Sequence, residues 1–124
     1  MKVTLPTLKA TLRENVCEIT FARRRLYPGK LPYRRMLCTL NDNLLQSTNG
    51  RLVLNYRPPA NSLPYPAESK NLLPVWDIFM QDWRMVSIDF CQLLTTYNTE
   101  EFWNYFNEKL IKMSPQDKIN YMNA

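Results

Sequence analysis

Residues 16–40 read VCEITFARRRLYPGKLPYRRMLCTL, two runs of strand character separated by a proline, a glycine and a dense set of cations. In the first run Val16, Glu18, Thr20 and Ala22 alternate with Cys17, Ile19 and Phe21, the two-residue period of a strand with one buried face. Residues 33–40 repeat that period. Pro28 and Gly29 supply the turn, because proline fixes φ at the first central position and glycine accepts a positive φ at the next. The stretch predicts an antiparallel hairpin whose tip, residues 23–30, is exposed. Six cations, Arg23, Arg24, Arg25, Lys30, Arg34 and Arg35, stand between Phe21 and Leu40 with no anion among them.

Working outward, Thr4, Leu5, Pro6 and Thr7 start a short helix, since proline is pre-organised for a first helical turn, and Leu5, Leu8 and Leu12 follow at helical spacing. Residues 41–70 hold Pro58, Pro59, Pro64 and Pro66 and read as a long excursion. Inside it RLVLNY, residues 51–56, reads as a short strand after an Asn49-Gly50 turn. Residues 72–79 and 83–90 form a second hairpin through Met80, Gln81 and Asp82, with a further short strand at 91–95. Thr99, Glu100 and Glu101 start a helix carrying Phe102, Phe106 and Leu110, and Ser114 with Pro115 starts a last one through Ile119 and Met122. The fold class is thus α+β, mainly β, in one domain over 1–124. An N-terminal helix and sheet fill 1–95, and 96–124 are a helical extension.

The chain of 124 residues has a net charge of +5, unevenly placed. Residues 1–62 carry eleven Lys/Arg against three Asp/Glu, and residues 63–124 carry five against eight, so the halves are +8 and −3. A basic first half suits an acidic partner, and the acidic second half suits a neighbouring subunit's basic face, so a homo-oligomer is open. Cys17, Cys38 and Cys91 lie in apolar strand patterns without CxxC spacing, which fits buried thiols in a reducing cytoplasm. No apolar run reaches the roughly 18 residues of a membrane span, so neither export nor insertion is expected.

Histidine is absent, which removes imidazole acid/base chemistry, Ser-His triads and His-based metal sites. With Gly29 and Gly50 the chain's two glycines, no glycine-rich loop can cradle a phosphate. Asp77, Asp82 and Asp89 fit a carboxylate or magnesium site less well than turn and pairing roles, Asp77 with Arg84 across the second hairpin. Trp76, Trp83 and Trp103 read as core residues, whereas Tyr27, Tyr33 and Tyr56, beside the basic segments, suit base stacking. No catalysis, cofactor or metal is expected.

The order of ITF (Ile19, Thr20, Phe21), a turn, then Arg35, Met36, Thr39 and Leu40, an insertion, and Val75, Trp76, Asp77, Trp83 and Arg84 resembles WYL-like domains of small tailed-bacteriophage proteins. The resemblance covers about residues 4–90. It implies a small Sm-like or SH3-like β-barrel without catalysis, akin to domains that bind nucleic acid or nucleotide-like ligands. It implies structural roles for Phe21, Arg35, Met36, Thr39, Trp76, Asp77, Trp83 and Arg84, and a cytoplasmic place in an infected bacterial host. The turn here is longer and more basic than in that family, and no Trp-Tyr-Leu tripeptide occurs.

The residues then predict a binding surface of Arg23, Arg24, Arg25, Tyr27, Lys30, Tyr33, Arg34 and Arg57, with cations on phosphates and rings on bases. Two other readings use the same residues. The tip docks on an acidic host protein, such as a polymerase, nuclease or defence factor, and inhibits or redirects it. Or arginines capture a small anionic nucleotide in a pocket.

Overall fold

The computed structural model describes residues 2–23, 28–29, 32–59 and 67–123. The order is α1 (Leu5–Glu14), β1 (Val16–Ala22), β2 (Tyr33–Thr39), α2 (Asp42–Leu45), α3 (Thr48–Val53), a 3₁₀ turn (Ala67–Lys70), β3 (Leu72–Asp77), β4 (Asp82–Ser87), β5 (Gln92–Tyr97), α4 (Thr99–Glu108), a second 3₁₀ turn (Leu110–Lys112) and α5 (Pro115–Met122). The expected α+β class holds. The five strands form one antiparallel sheet in the order β4-β3-β2-β1-β5.

That order makes β4 and β5 consecutive in the chain yet places them at opposite edges. In a flat sheet four strand spacings would separate them by about 19 Å. The connection from Ser87 to Gln92 reaches at most about 17 Å when extended, and it folds back on itself, Cys91 N donating to Ile88 O at 3.1 Å. The sheet must therefore be curled. β1 and β4, which share no ladder, pack against each other. A bulge in the β1–β5 register, where Glu18 faces Thr95 but Ile19 faces Leu93, adds local twist. The closed barrel that the resemblance implies is not reached, because no ladder joins β4 to β5 among the described residues.

The expectation of one buried face is corrected too, because both faces are covered. Cys17, Ile19, Phe21, Met36, Cys38, Leu73 and Val75 form one core with Leu8 and Leu12 of α1. Burying each of those two leucines contributes about 1.5–3 kcal/mol. Val16, Leu37 and Trp76 meet Leu44, Leu45, Leu54, Phe102 and Leu110 on the other side. α4 starts at an Asn98 cap, whose Oδ1 accepts from Glu101 N at 2.8 Å, and Tyr105 stacks on Tyr97 of β5 at 5.1 Å.

The largest correction lies in the excursion. Residues 51–56 form no strand. Ser47 Oγ accepts from Gly50 N at 3.0 Å and caps α3, so Asn49 and Gly50 lie within a helix instead of a turn. Strand limits shift as well: Asp77 Oδ1 accepts from Phe79 N at 3.0 Å and Met80 N at 3.1 Å, and Gln81 has φ 53°, so the second hairpin turns earlier than expected. β4 stops at Ser87, and β5 runs to Tyr97.

Candidate functional site

The β1–β2 hairpin is laid down as expected up to its tip. Ala22 faces Tyr33, and Arg23 N donates to Pro32 O at 2.8 Å beyond them. Pro28 and Gly29 are exposed, and Gly29 has φ 78°. Arg24, Arg25, Tyr27 and Lys30 lie outside the described residues. Tyr33 is 53% exposed at the hairpin base.

The arginines at that base do not simply face solvent. α5 lies against β2, and three successive residues at its C-terminal end meet three arginines. The Tyr121 ring sits 4.3 Å from the Arg35 guanidinium, Met122 Sδ accepts from Arg34 Nη2 at 3.3 Å, and Asn123 Oδ1 accepts from Arg23 Nη2 at 2.8 Å. Beneath them are two carboxylates. Arg34 Nη2 donates to Asp77 Oδ2 at 2.6 Å, with Asp77 1% exposed, and Arg35 Nη2 donates to Glu18 Oε2 at 2.9 Å. Glu18 also accepts from Tyr121 Oη at 2.6 Å and from Thr95 Oγ1 at 3.3 Å. Burial, reinforced by the Glu18 carboxylate, holds the Tyr121 phenol well above its usual range, so it stays a donor.

Arg57 belongs to a different cluster. Its Nη2 donates to Asp82 Oδ1 at 3.0 Å, its Nη1 to Gln81 O at 3.2 Å, and its carbonyl accepts from Trp83 Nε1 at 3.0 Å. The guanidinium lies 5.5 Å from the Trp76 ring, within an edge-to-face group of Tyr56, Trp76 and Trp83. Arg57 thus fastens the chain after α3 to the β3–β4 turn. Tyr56 is part of this packing and offers no open face like that of Tyr33. The expected Asp77–Arg84 pair is corrected: Arg84 Nη1 reaches Asp82 Oδ2 at 3.3 Å, while Asp77 serves Arg34.

Other positions that carry the resemblance are packed into the fold. Phe21, Met36 and Trp76 are buried, and Thr39 Oγ1 donates to Asn15 O at 2.8 Å, tying α1 to β2. All three cysteines are buried and free; burial pushes the Cys17 and Cys91 thiols up to about 11 and Cys38 well above its ordinary value. No group of three or more Cys, Asp and Glu side chains among the described residues is placed to hold a metal ion, and no helix there is long and apolar enough to cross a membrane.

No protein-family model, curated protein or solved structure matches this chain. The likeness to WYL-like phage domains therefore rests on the sequence pattern alone. Sequence reasoning missed Glu18, Tyr121, Met122 and Asn123. Glu18 did carry a signal, a carboxylate in the middle of an apolar strand, where burial demands a partner.

Proposed function

We propose that this chain is a non-enzymatic protein that contacts nucleic-acid backbone through the tip of its β1–β2 hairpin, carried on a rolled sheet of Sm-like or SH3-like type. The observation that carries the reading is a division of labour among the hairpin cations. Arg34 and Arg35 are paired with the buried Asp77 and Glu18, bracing the base, while Arg24, Arg25 and Lys30 belong to the connection between Arg23 and Pro32, which holds no acidic residue. Tyr33 adds an exposed ring at the base on which a base can stack. A cytoplasmic place, in a bacterium infected by phage as the resemblance implies, is part of the same proposal, and the three free thiols agree with it.

Such contacts position a protein without reading sequence, so affinity depends on salt and little on base order. The test is binding of labelled single- and double-stranded DNA and RNA at several salt concentrations, for the wild type and for Arg24→Glu/Arg25→Glu/Lys30→Glu. On duplex DNA each neutralised phosphate contributes about −0.9 to the log–log salt slope, so the triple variant flattens it by about 3. Binding that is insensitive to salt, or unchanged in the variant, rejects the reading. No binding at low salt assigns the tip to an acidic protein instead.

A further inference from the structure

α5 is fastened to the sheet by its last turn. None of its residues is fully buried, and its polar anchors are Tyr121, Met122 and Asn123. Its first turn is capped without help from the sheet: Ser114 Oγ accepts from Asp117 N at 3.1 Å, and Asp117 Oδ2 accepts from Ser114 N at 3.0 Å. Releasing the last turn therefore pulls no fully buried side chain of α5 into water.

What that turn covers is a set of strong donors facing poor acceptors. A guanidinium carries five N–H groups, and in Arg34 and Arg35 the Asp77 and Glu18 carboxylates occupy one edge through Nη2. Toward α5, Arg34 Nη2 finds the Met122 thioether, Arg23 Nη2 the neutral Asn123 amide, and Arg35 the face of the Tyr121 ring. Arg35 Nε is buried and has no hydrogen-bond partner among the described residues, a costly state for a donor. A sulfur, a neutral amide and an aromatic face are each weaker partners than an anionic oxygen. Phosphate offers such oxygens in the fork geometry that a guanidinium prefers.

Resting on the hairpin reading, we infer that the last turn of α5 is a displaceable cover over a second phosphate site, formed by Arg23, Arg34 and Arg35 at the hairpin base. Arg23 stands at the root of the tip, its N donating to Pro32 O at 2.8 Å, so a nucleic-acid backbone that leaves the tip along the sheet meets it first. Without nucleic acid the cover stays shut, because Tyr121 Oη donates to Glu18 Oε2 at 2.6 Å and the negative C-terminal end of the helix faces the cations. Asp77 and Glu18 cancel two of the three positive charges. Opening therefore adds one net cation to the surface, and the cover tunes affinity without abolishing it.

The experiment measures Kd and its salt dependence on full-length variants, with the labelled DNA or RNA that the wild type binds best. Met122→Ala/Asn123→Ala removes two of the three contacts and keeps the Tyr121–Glu18 bond, so it is expected to fold, and a thermal melt checks that it does. Its Kd should fall about tenfold, the effect of one added charge-assisted contact. Its log–log salt slope should steepen by about 0.9 on duplex DNA or about 0.7 on a single strand. Asn123→Asp gives Arg23 a carboxylate and should weaken binding. Asn120→Asp, the same charge change at an exposed residue bonded to Gln116, should bind as the wild type does. Hydrogen exchange supplies a direct readout, because the amides of residues 118–123 should lose protection when nucleic acid binds. Equal Kd and slope for the wild type and Met122→Ala/Asn123→Ala, with binding still lost in Arg24→Glu/Arg25→Glu/Lys30→Glu, overturn the cover and leave the hairpin reading standing. Equal weakening by the two aspartates, weaker binding by Met122→Ala/Asn123→Ala, or protection of 118–123 that holds or rises overturns the cover as well. No binding by any of these chains at low salt removes the hairpin reading and the cover with it.

Discussion

Asp77 holds two structures together with one carboxylate. Oδ1 takes the N–H groups of Phe79 and Met80 and sets the β3–β4 turn, while Oδ2 takes Arg34 at 2.6 Å across a gap of 43 residues in sequence. Removing one partner of a buried pair strands the other charge, so Asp77→Ala is expected to lower the unfolding free energy by about 3–5 kcal/mol. Asp77→Asn should lose less, because an amide oxygen still serves the turn. Replacing both partners with apolar residues, Arg34→Met with Asp77→Leu, should recover part of the loss even though the turn contacts are gone. Urea unfolding of the three variants decides it, and equal curves for wild type and Asp77→Ala would refute the pairing. A charge within LLPVWD announced in the sequence that some partner was needed. Which arginine answered was not legible, because Arg84 is close in sequence whereas Arg34 is brought near only by the β2–β3 ladder. The same holds for Glu18 and Tyr121, 103 residues apart.

At the scale of elements, what was legible was what local chemistry decides. Thr4 and Pro6, Ser114 and Pro115, and Pro28 and Gly29 mark α1, α5 and the first turn because caps and turn dihedrals depend on the residue itself. α3 was not legible for the opposite reason. Leu52, Val53 and Leu54 favour a strand by pattern, and Asn49-Gly50 favours a turn, but a tertiary approach overrides both. A Cβ on Gly50 would lie 2.1 Å from Leu44 O and 2.6 Å from Leu45 O, so glycine is there for close passage of α2 and not for a left-handed φ. Alanine is intrinsically better in a helix than glycine by about 1 kcal/mol, so a substitution governed by α3 alone would stabilise. Gly50→Ala is expected to destabilise instead, by about 1–3 kcal/mol, as overpacking does. A higher urea midpoint for Gly50→Ala would mean that α2 and α3 do not pack this closely.

For the whole molecule, the charge split between the halves, which read as a preference for outside partners, is partly answered inside the chain: Lys9 pairs with Glu68, Arg34 with Asp77 and Arg57 with Asp82, each joining the basic half to the acidic one. The C-terminal helices likewise are not a simple appendage to a finished sheet, although they differ from each other. α4 and the turn after it place Phe102 and Leu110 in the second core, against Val16, Leu37 and Trp76, whereas α5 has no fully buried residue and is held by Tyr121, Met122 and Asn123. Truncation after Met113 should therefore leave a cooperative fold, weakened by about 1–3 kcal/mol as Glu18 loses its phenol donor. Truncation after Asn98 removes Phe102 and Leu110 from one face of the sheet and leaves only part of its cover, Leu44, Leu45 and Leu54. Losing a core phenylalanine alone costs about 3–5 kcal/mol, a large part of the 5–15 kcal/mol that stabilises a typical domain, and here Leu110 and the helix backbone go with it. The shorter chain is expected to show no cooperative urea transition and to expose Trp76, read as a red-shifted fluorescence maximum. A sharp transition in the shorter chain would mean that the curled sheet and α1 form a complete domain by themselves. The share of the second face that α4 covers would then be small enough for Leu44, Leu45, Leu54 and Tyr56 to shield Trp76, Leu37 and Val16 without it, because a large apolar face is not left to water in a stable monomer.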